Sequence, residues 1–382
     1  SGNVLNPPFC INYNTLVDKS QELCYTYYRT DGKEELSELS EFYDGNRLLS
    51  MKDLKGKKPE IYICTSNRSA GKTTFFNNYV VNRFKKYGEK FMLVYRYNYE
   101  LDDVADKFFK DLEAIFYPGQ IMESKRRASG IFHELFLDGQ SCGYAVSLNS
   151  ADQLKKYSHL FSDAQHMIMD EFQSESNRYC SDEIRKFISL HTSVARGNGE
   201  MARYLPVYMI GNPVTIINPY YIELGISNRL KEDTKFLRGE GFVLEQGFNK
   251  TASEAQKESA FNRAFAKNDY VAYSSMSVYL NDNKAFIERP VGIGRYLCTI
   301  RYNGVNYGIR EYIDQGFIYM DDKPDNTFRL KITVTTDDHE INYVMLKRND
   351  MFLQTLREYF ENGCFRFKDL RCKEAILKAL SY

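Results

Sequence analysis

The feature that most constrains this chain is a short loop ending in Gly-Lys-Thr, which lies between two apolar patterns. The run before the loop, Ile61–Thr65, is short, apolar and rich in β-branched residues, as buried strands are. After the loop, apolar residues recur at the spacing of one helical face, at Phe75, Phe76, Tyr79, Val80 and Phe84. A strand, a loop ending in Gly-Lys-Thr and a helix form the context of a phosphate-binding P-loop.

The chemistry predicted for this loop follows from its position at a helix N-terminus. Backbone N–H groups there point at an anion, Lys72 adds a positive charge, and the Thr73 hydroxyl can hold Mg²⁺. The residues predicted to bind the nucleotide are Ser66, Asn67, Arg68, Ser69, Ala70, Gly71, Lys72, Thr73 and Thr74. Ser66 stands where the general pattern has its first glycine. The alternative interpretation is an ordinary strand-to-helix turn with an exposed lysine.

A second run, His166–Met169, is followed by two adjacent carboxylates. A strand of this kind delivers Asp170 and Glu171 at its carboxyl end, where open α/β sheets bind ligands. Asp170 is predicted to hold Mg²⁺ and its water shell, and Glu171 to orient and activate the attacking water. The alternative is a strand followed by the acidic first turn of a helix.

Two polar residues follow further predicted elements. Arg196 ends a helix predicted over 181–196 and precedes Gly-Asn-Gly, so it is a candidate to reach the γ-phosphate of a neighbouring subunit. Asn212 ends a strand predicted over 205–211 and is a candidate sensor of the γ-phosphate. A helix C-terminal cation and an Asn-Pro turn are the respective alternatives.

The chain divides by composition into three predicted parts. Residues 1–222 hold an N-terminal extension and the P-loop domain, 223–275 a linker subdomain, and 276–382 a second α+β domain. The formal net charge is +0, so contact with nucleic acid depends on local basic patches. The candidate patch is Lys125, Arg126 and Arg127, predicted as a loop before a hairpin over 131–148. No apolar run has the length of a membrane span.

Several collinear segments resemble one known family. They are Arg68–Lys72, Asn82–Phe84, Tyr95–Tyr97, Glu100–Leu101, Asp170–Phe172, Ser193–Arg196, Asn218–Tyr220, Tyr302–Gly304, Asp314–Gly316 and Thr335–Asp338. In this order they resemble the DNA-packaging ATPases of phi-29-like small podophages, which are compact relatives of the large terminase subunits. The resemblance extends from about Tyr43 to the end of the chain.

The resemblance implies an ATP- and Mg²⁺-dependent P-loop motor of the ASCE class. Such a motor would form a ring, expected as a pentamer, on the portal of a procapsid and drive double-stranded DNA inward. A packaging RNA is a further partner that the resemblance allows. It also implies location in the host cytoplasm, transiently at the portal vertex, and absence from the mature virion.

The resemblance also assigns roles to residues. Lys72 and Thr73 match the Walker A pair, Asp170 the Walker B aspartate and Glu171 the catalytic glutamate. Arg196 matches the family's trans-acting arginine finger. Arg68 is a rival arginine that would act within its own subunit, and Lys155 and Lys156 both lie near the place of a trans-acting lysine. The sequence leaves these alternatives open.

The last part of the chain resembles an RNase H-type nuclease domain. Working nucleases of this kind cluster carboxylates around metal ions, one of them from the first strand. Here the first strand is Tyr296–Tyr302, which has no acidic residue. The remaining acids fall on turns and strand ends, at Asp314, Asp321, Asp322, Asp337 and Asp338. We therefore predict an α/β protein with a P-loop ATPase domain, a linker subdomain and an inactive RNase H-like domain. The alternatives are a terminase with a working nuclease and a nucleotide-binding switch without translocation.

Overall fold

The computed structural model describes residues 43–381 except 198, 200, 231–233, 277–278, 280–284 and 348–349. The predicted N-terminal extension therefore lies mostly outside the described residues. Within them, two β-sheets are flanked by helices. None of the described helices combines the length and apolar character that crossing a membrane requires.

The first sheet has nine strands in the order β3-β4-β5-β2-β6-β7-β1-β9-β8. The strands are β1 (Ile61–Thr65), β2 (Lys90–Tyr95), β3 (Met122–Arg127), β4 (Phe132–Leu137), β5 (Gln140–Ser147), β6 (Ala164–Met169), β7 (Val207–Gly211), β8 (Phe236–Arg238) and β9 (Phe242–Gln246). Strands β5, β2, β6, β7, β1 and β9 are parallel, and β3, β4 and β8 add antiparallel edges. Because β7 lies between β1 and β6, the ends of these three strands meet at one edge.

The helices of the first half cover both faces of this sheet. In chain order they are α1 (Asn46–Ser50), α2 (Lys72–Tyr87), α3 (Val104–Phe116), α4 (Ala151–Leu154), α5 (Glu183–Val194) and α6 (Pro219–Glu223). Alternating strand residues separate two cores, so that Cys64 packs with α2 and α3 while Ile63 packs with α5. These buried side chains hold the strand ends, and therefore the candidate site, in fixed positions.

Part of the predicted linker subdomain belongs to the nine-stranded sheet. Strands β8 and β9 come from residues 223–275, and β9 pairs in parallel with β1 from Ile61↔Phe242 to Thr65↔Gln246. The charged surroundings concealed this strand in the sequence, but its core of Phe242, Val243 and Leu244 is buried against the sheet. The predicted division at 222/223 therefore runs through the sheet. Three short helices follow β9: α7 (Lys250–Glu258), α8 (Ala260–Ala264) and α9 (Asp269–Met276).

The second sheet has six strands in the order β14-β13-β10-β11-β12-β15. They are β10 (Arg295–Tyr302), β11 (Val305–Tyr312), β12 (Phe317–Asp321), β13 (Lys331–Thr333), β14 (Val344–Met345) and β15 (Phe365–Phe367), with helices α10 (Met351–Glu361) and α11 (Leu370–Ser381). Strands β10, β11 and β12 form an antiparallel meander, and β13 and β14 continue in parallel beside β10. The predicted α/β fold class is confirmed, and the second domain combines this mixed sheet with two helices.

The turn between β10 and β11 consists of Asn303 and Gly304. Both residues have positive φ, 50° and 73°, as a two-residue hairpin turn of type I′ requires. The backbone N–H groups of both residues bind the carboxylate of Asp338, at 3.1 and 2.8 Å. The turn chemistry and a side chain from a distant segment therefore fix the same hairpin.

The two sheets contact each other through the segment that follows β7. The ammonium group of Lys373 on α11 donates to the hydroxyl oxygen of Thr215 at 2.8 Å, and both residues are buried. Ile217 from the same segment packs in the core of the second sheet. The segment that begins at the end of β7 therefore reaches both halves of the molecule.

Candidate nucleotide-binding site

The loop predicted to bind phosphate connects β1 to α2. Gly71 immediately precedes the helix with φ 93°, a conformation that favours glycine. The Lys72 ammonium donates to the carbonyl oxygens of Ser66 and Asn67, at 3.1 and 3.2 Å, and is buried. Burial lowers the pKa of Lys72. The loop thus curls around its own lysine at the N-terminus of a sixteen-residue helix, as an anion-binding loop does.

Thr73 and Asp170, the predicted magnesium ligands, lie side by side. The Thr73 hydroxyl donates to Asp170 Oδ2 at 3.0 Å, although the two residues are 97 positions apart. Burial raises the pKa of Asp170. No group of three or more His, Cys, Asp or Glu side chains among the described residues could hold a metal. One hydroxyl and one carboxylate nevertheless suit Mg²⁺, which keeps waters and phosphate oxygens as its other ligands.

Glu171 follows Asp170 in a left-handed conformation, with φ 53°. Its N–H donates to Asp170 Oδ1 at 2.9 Å, so the two carboxylates diverge from one turn. The Glu171 side chain is exposed and forms no ion pair with any residue that the structure describes. Desolvation by the surrounding protein, and then the charge of Asp170, raise the pKa of Glu171.

Asn212, the predicted sensor, reaches the loop from the end of β7. Its Oδ1 accepts a hydrogen bond from the Lys72 ammonium at 3.1 Å. The structure thus brings together five predicted groups: Lys72, Thr73, Asp170, Glu171 and Asn212. They come from the ends of β1, β6 and β7, which the strand order places side by side.

The family of this chain follows from comparison with known proteins. The model of the podovirus DNA encapsidation protein (Gp16) family matches residues 37–380. The chain belongs to this family. The DNA packaging protein of Bacillus phage phi29 is 27% identical over 304 residues, which cover 78% of this chain and 87% of that protein.

Two solved structures illustrate the fold that this chain shares with known proteins. One is the bacteriophage Phi-29 viral genome packaging motor assembly, with a TM-score of 0.51 and 22% identity, covering 90% of this chain and 98% of that one. The other is the Phi-28 gp11 DNA packaging motor, with a TM-score of 0.54 and 18% identity, covering 89% and 96%. The resemblance recognised in the sequence is therefore confirmed for the family and for the fold.

The side chain of Arg68 is engaged by residues that the sequence did not connect with the site. It forms an ion pair with Glu175, and its guanidinium lies over the rings of Tyr270 and Tyr273, at 5.3 and 5.8 Å from their centroids. Both tyrosines are on α9. Glu175 follows the Asp170–Glu171 pair by a few residues, so Arg68 connects the loop to both elements.

The helical segment after β9 makes further contacts with the loop. Asn67 and Asn249 exchange two hydrogen bonds, at 3.0 and 2.9 Å, and Gln256 donates to the Ser69 hydroxyl at 3.0 Å. Sequence reasoning placed none of these contacts at the site, because no spacing pattern links a loop to a helix about 180 residues later. Gln173 was also missed: its Oε1 accepts the N–H groups of Val214 and Thr215, at 3.0 and 2.9 Å.

Arg196, Lys155 and Lys156 lie apart from these groups. Arg196 is exposed just after α5, and its Nε donates to the Thr192 carbonyl at 3.2 Å. Lys155 pairs with Asp152 at 2.9 Å, and Lys156 is exposed. The 3₁₀ helix Lys155–Phe161 and helix α5 pack on the same face of the sheet, so all three cations belong to that side of the molecule.

The loop predicted for the basic run 125–127 is wrong, because this run forms a strand. Lys125, Arg126 and Arg127 belong to β3, the edge strand of the first sheet, which pairs with β4. Carboxylates pair with all three cations: Glu123 with Lys125 at 3.6 Å, Asp102 with Arg126 at 2.6 Å, and Glu134 with Arg127 at 2.7 Å. The charged sequence of an edge strand, which lacks apolar alternation, is difficult to distinguish from a loop.

Proposed function

We propose that this protein hydrolyses ATP and uses the energy to move double-stranded DNA into a procapsid. The observation that carries the proposal is the convergence of Lys72, Thr73, Asp170 and Asn212 at one sheet edge, with Glu171 beside them. Phosphoryl transfer depends on positioning and charge stabilisation, which is what such a set of groups can supply. The names of the relatives, a DNA packaging protein and two packaging motors, support the same direction.

Each group has a role that follows from its chemistry. Lys72 and the backbone N–H groups at the start of α2 hold the phosphates, and Thr73 and Asp170 would hold Mg²⁺, which neutralises phosphate charge when bound. Glu171, which has a raised pKa and no ion-pair partner among the described residues, orients the attacking water and accepts its proton. Asn212 contacts Lys72 and so registers whether the lysine has turned to a γ-phosphate.

Arg196 is proposed as a finger that acts on the neighbouring subunit. Helix α5 begins beside the edge of the sheet that carries the candidate site. Its end lies near the start of β7, because the N–H of Arg203, shortly before β7, donates to the carbonyl of Ala195 at 2.9 Å. Twelve helical residues span about 18 Å, so Arg196 lies at the opposite edge from its own P-loop. Only the site of another subunit is then within its reach, and Arg68 is already held by Glu175.

The same face carries the candidates for a lysine that acts in trans. Lys156 has the more available side chain, because Lys155 is paired with Asp152. A subunit interface on the face of α5 would use Arg196 and one of these lysines together. A ring of subunits, proposed as a pentamer, follows if each face meets the P-loop edge of its neighbour.

We propose that the second domain has no nuclease activity. Asp321 pairs with Arg310 at 2.6 Å and Asp322 with Lys368 at 2.5 Å, so protein cations already neutralise the acids at the end of β12. Asp338 accepts two backbone N–H groups of the β10–β11 turn. The first strand supplies no carboxylate to complete a metal site.

The proposed partners are double-stranded DNA and the portal of a procapsid, and a packaging RNA is compatible with the same role. The motor would act in the host cytoplasm at the portal vertex and would be absent from the mature virion. The three-part division of the chain is kept as a proposal, with β8 and β9 assigned to the ATPase sheet.

The test is steady-state ATP hydrolysis with and without linear double-stranded DNA, under conditions in which the subunits assemble. Arg196→Ala and Lys72→Ala should each abolish most turnover, and removing an arginine finger lowers the rate by about 10³–10⁵-fold. Mixing the two variants should restore part of the activity, because a Lys72→Ala subunit can lend its Arg196 to an intact P-loop.

The matched control is Arg185→Ala, which removes an exposed arginine of the same helix that pairs only with Asp182 among the described residues. It should leave turnover unchanged. Turnover that no mixture restores would contradict shared sites. Tight nucleotide binding with slow turnover that DNA does not alter would favour a nucleotide-binding switch.

A further inference from the structure

Beneath the Asp170–Glu171 turn lies a buried ion pair that the sequence did not reveal. Arg96, directly after β2, faces Glu183, the first residue of α5, with Nε 2.9 Å from Oε2. The exposed fractions of the two side chains are only 9% and 2%. Glu183 also accepts the Tyr220 hydroxyl at 2.8 Å and the Cys180 N–H at 2.7 Å, so its position is fixed from three sides.

The guanidinium of Arg96 has a second set of contacts, and these are with the turn itself. Its Nη2 donates to the carbonyl oxygen of Phe172 at 2.9 Å, and Nη1 and Nη2 approach the Glu171 carbonyl at 3.3 and 3.4 Å. A planar fork with five donors suits this arrangement, because it can bind a carboxylate on one edge and carbonyl oxygens on the other. Arg96 thus ties the backbone of Glu171 to the start of α5.

The backbone that Arg96 holds is in a sparsely populated conformation. Glu171 is not a glycine, yet its φ is 53°, and such residues persist only where the surroundings hold them. Within the turn, the N–H of Glu171 binds Asp170 and the N–H of Phe172 donates to the Ile210 carbonyl at 3.3 Å. The carbonyl side of the same turn is held by Arg96.

We propose that Arg96, oriented by Glu183, is a positioning residue that holds the Glu171 carboxylate in the geometry required for hydrolysis. The inference rests on the proposed function, since it assigns Arg96 a task only if Glu171 activates water. Arg96 itself contacts the backbone and not the nucleotide. Loss of the clamp should therefore reduce the rate of the chemical step without weakening nucleotide binding.

The experiment uses a double variant, Arg96→Met with Glu183→Gln. Removing one member of a buried pair leaves an uncompensated charge, whereas removing both charges preserves folding better. The amide introduced by Glu183→Gln retains an oxygen that can accept the Tyr220 hydroxyl. We expect kcat for ATP hydrolysis to fall about 10²-fold, as small misplacement of a catalytic group does, while the Kd for ATP changes less than about threefold.

The matched control is a second ion pair of the same sheet, replaced in the same way by Arg83→Met with Glu89→Gln. This pair is partly buried, its atoms Nη2 and Oε1 are 2.5 Å apart, and it lies at the end of α2 and the start of β2, away from Glu171. It should retain kcat. A second variant, Arg96→Lys, keeps the charge beside Glu183 but cannot reach all the carbonyls, and should lose kcat with an unchanged Kd.

The outcomes separate the inference from the proposed function. If wild-type turnover does not depend on Glu171, the proposed function fails whatever Arg96 does. If turnover depends on Glu171 but both Arg96 variants retain kcat, the positioning role is wrong. An equal loss in the Arg83–Glu89 control, or a parallel loss of ATP affinity, assigns Arg96 to general folding and also overturns the inference.

Discussion

In each of the two sheets, aspartates lie at the end of a buried strand, but the groups that bind these carboxylates differ. At the end of β6, Asp170 is bound by a hydroxyl and a backbone N–H, and Glu171 by no cation among the described residues. At the end of β12, Asp321 and Asp322 are each paired with a cation, Arg310 and Lys368. The carboxylates of the two sheets have similar positions on their strands, but only those after β6 are without a cationic partner among the described residues.

The difference teaches that the partners of a carboxylate, more than its place on a strand, decide what it can do. A carboxylate with weak donors and a raised pKa can bind a metal or accept a proton. A carboxylate that already receives an arginine or lysine has lost most of this capacity, because a second cation would have to displace the first. The carboxylates at the end of β6 are therefore available to a metal ion or a water molecule, whereas those at the end of β12 stabilise the second domain.

The largest expected effect comes from neutralising one acid of each sheet. Glu171→Gln should lower ATP turnover by about 10²–10⁴-fold, the usual contribution of a general base, while ATP binding persists. Asp321→Asn, a substitution of the same kind in the other sheet, should leave turnover unchanged. Steady-state hydrolysis and nucleotide titration on the two variants check both halves of the statement. An equal effect of both substitutions would erase the contrast between the sheets.

The next effect concerns stability and should appear only in the second sheet. Asp338 is buried and accepts the N–H groups of Asn303 and Gly304 together with the Thr335 hydroxyl. Asp338→Ala should lower the free energy of unfolding by about 1–3 kcal/mol, because it removes the charged acceptor of three hydrogen bonds. Thermal and urea denaturation measure the loss. Unchanged stability would mean that water replaces the carboxylate without penalty; ATP affinity should remain the same.

A smaller effect is expected at the edge strand β3. Each cation of the Lys125–Arg127 run is already paired with a carboxylate, so a phosphate would compete with an existing partner. Arg126→Ala should therefore weaken binding of double-stranded DNA less than about threefold, close to the loss of a single phosphate contact or below it. Fluorescence anisotropy at two salt concentrations checks this, with Lys110→Ala as an exposed lysine of the neighbouring helix. A loss above about tenfold would identify β3 as a DNA-gripping element.

The smallest expected effect is none at all. The wild-type protein with Mg²⁺ or Mn²⁺ should leave supercoiled plasmid uncut, because the acids of the second sheet are engaged and β10 contributes none. Gel electrophoresis over several hours gives the readout. Metal-dependent cutting that Asp321→Asn abolishes would show that the ion pair with Arg310 opens, and would restore the terminase-nuclease alternative.

The sequence was sufficient where chemistry is local. The strand, loop and helix around Lys72 and the acid pair after β6 each depend on neighbouring residues, and both were placed correctly. It was insufficient where contacts join distant segments. The pairing of β9 with β1, the bond between Asn67 and Asn249, and the clamp of Arg96 on Glu171 have no signature in spacing. The loop prediction for the charged residues of β3 failed for the same reason, because their partners Asp102 and Glu134 lie outside the strand.

We propose above all that DNA packaging depends on ATP hydrolysis through Glu171, and a DNase protection assay tests this dependence most directly. Cognate procapsids, genomic DNA, ATP and this protein are mixed, treated with DNase, and the protected DNA is measured by gel. We expect full-length protected DNA with the wild type and only background with Glu171→Gln, although that variant still binds ATP. Protection that is equal for Glu171→Gln and the wild type, or that does not require ATP, would contradict this role of Glu171.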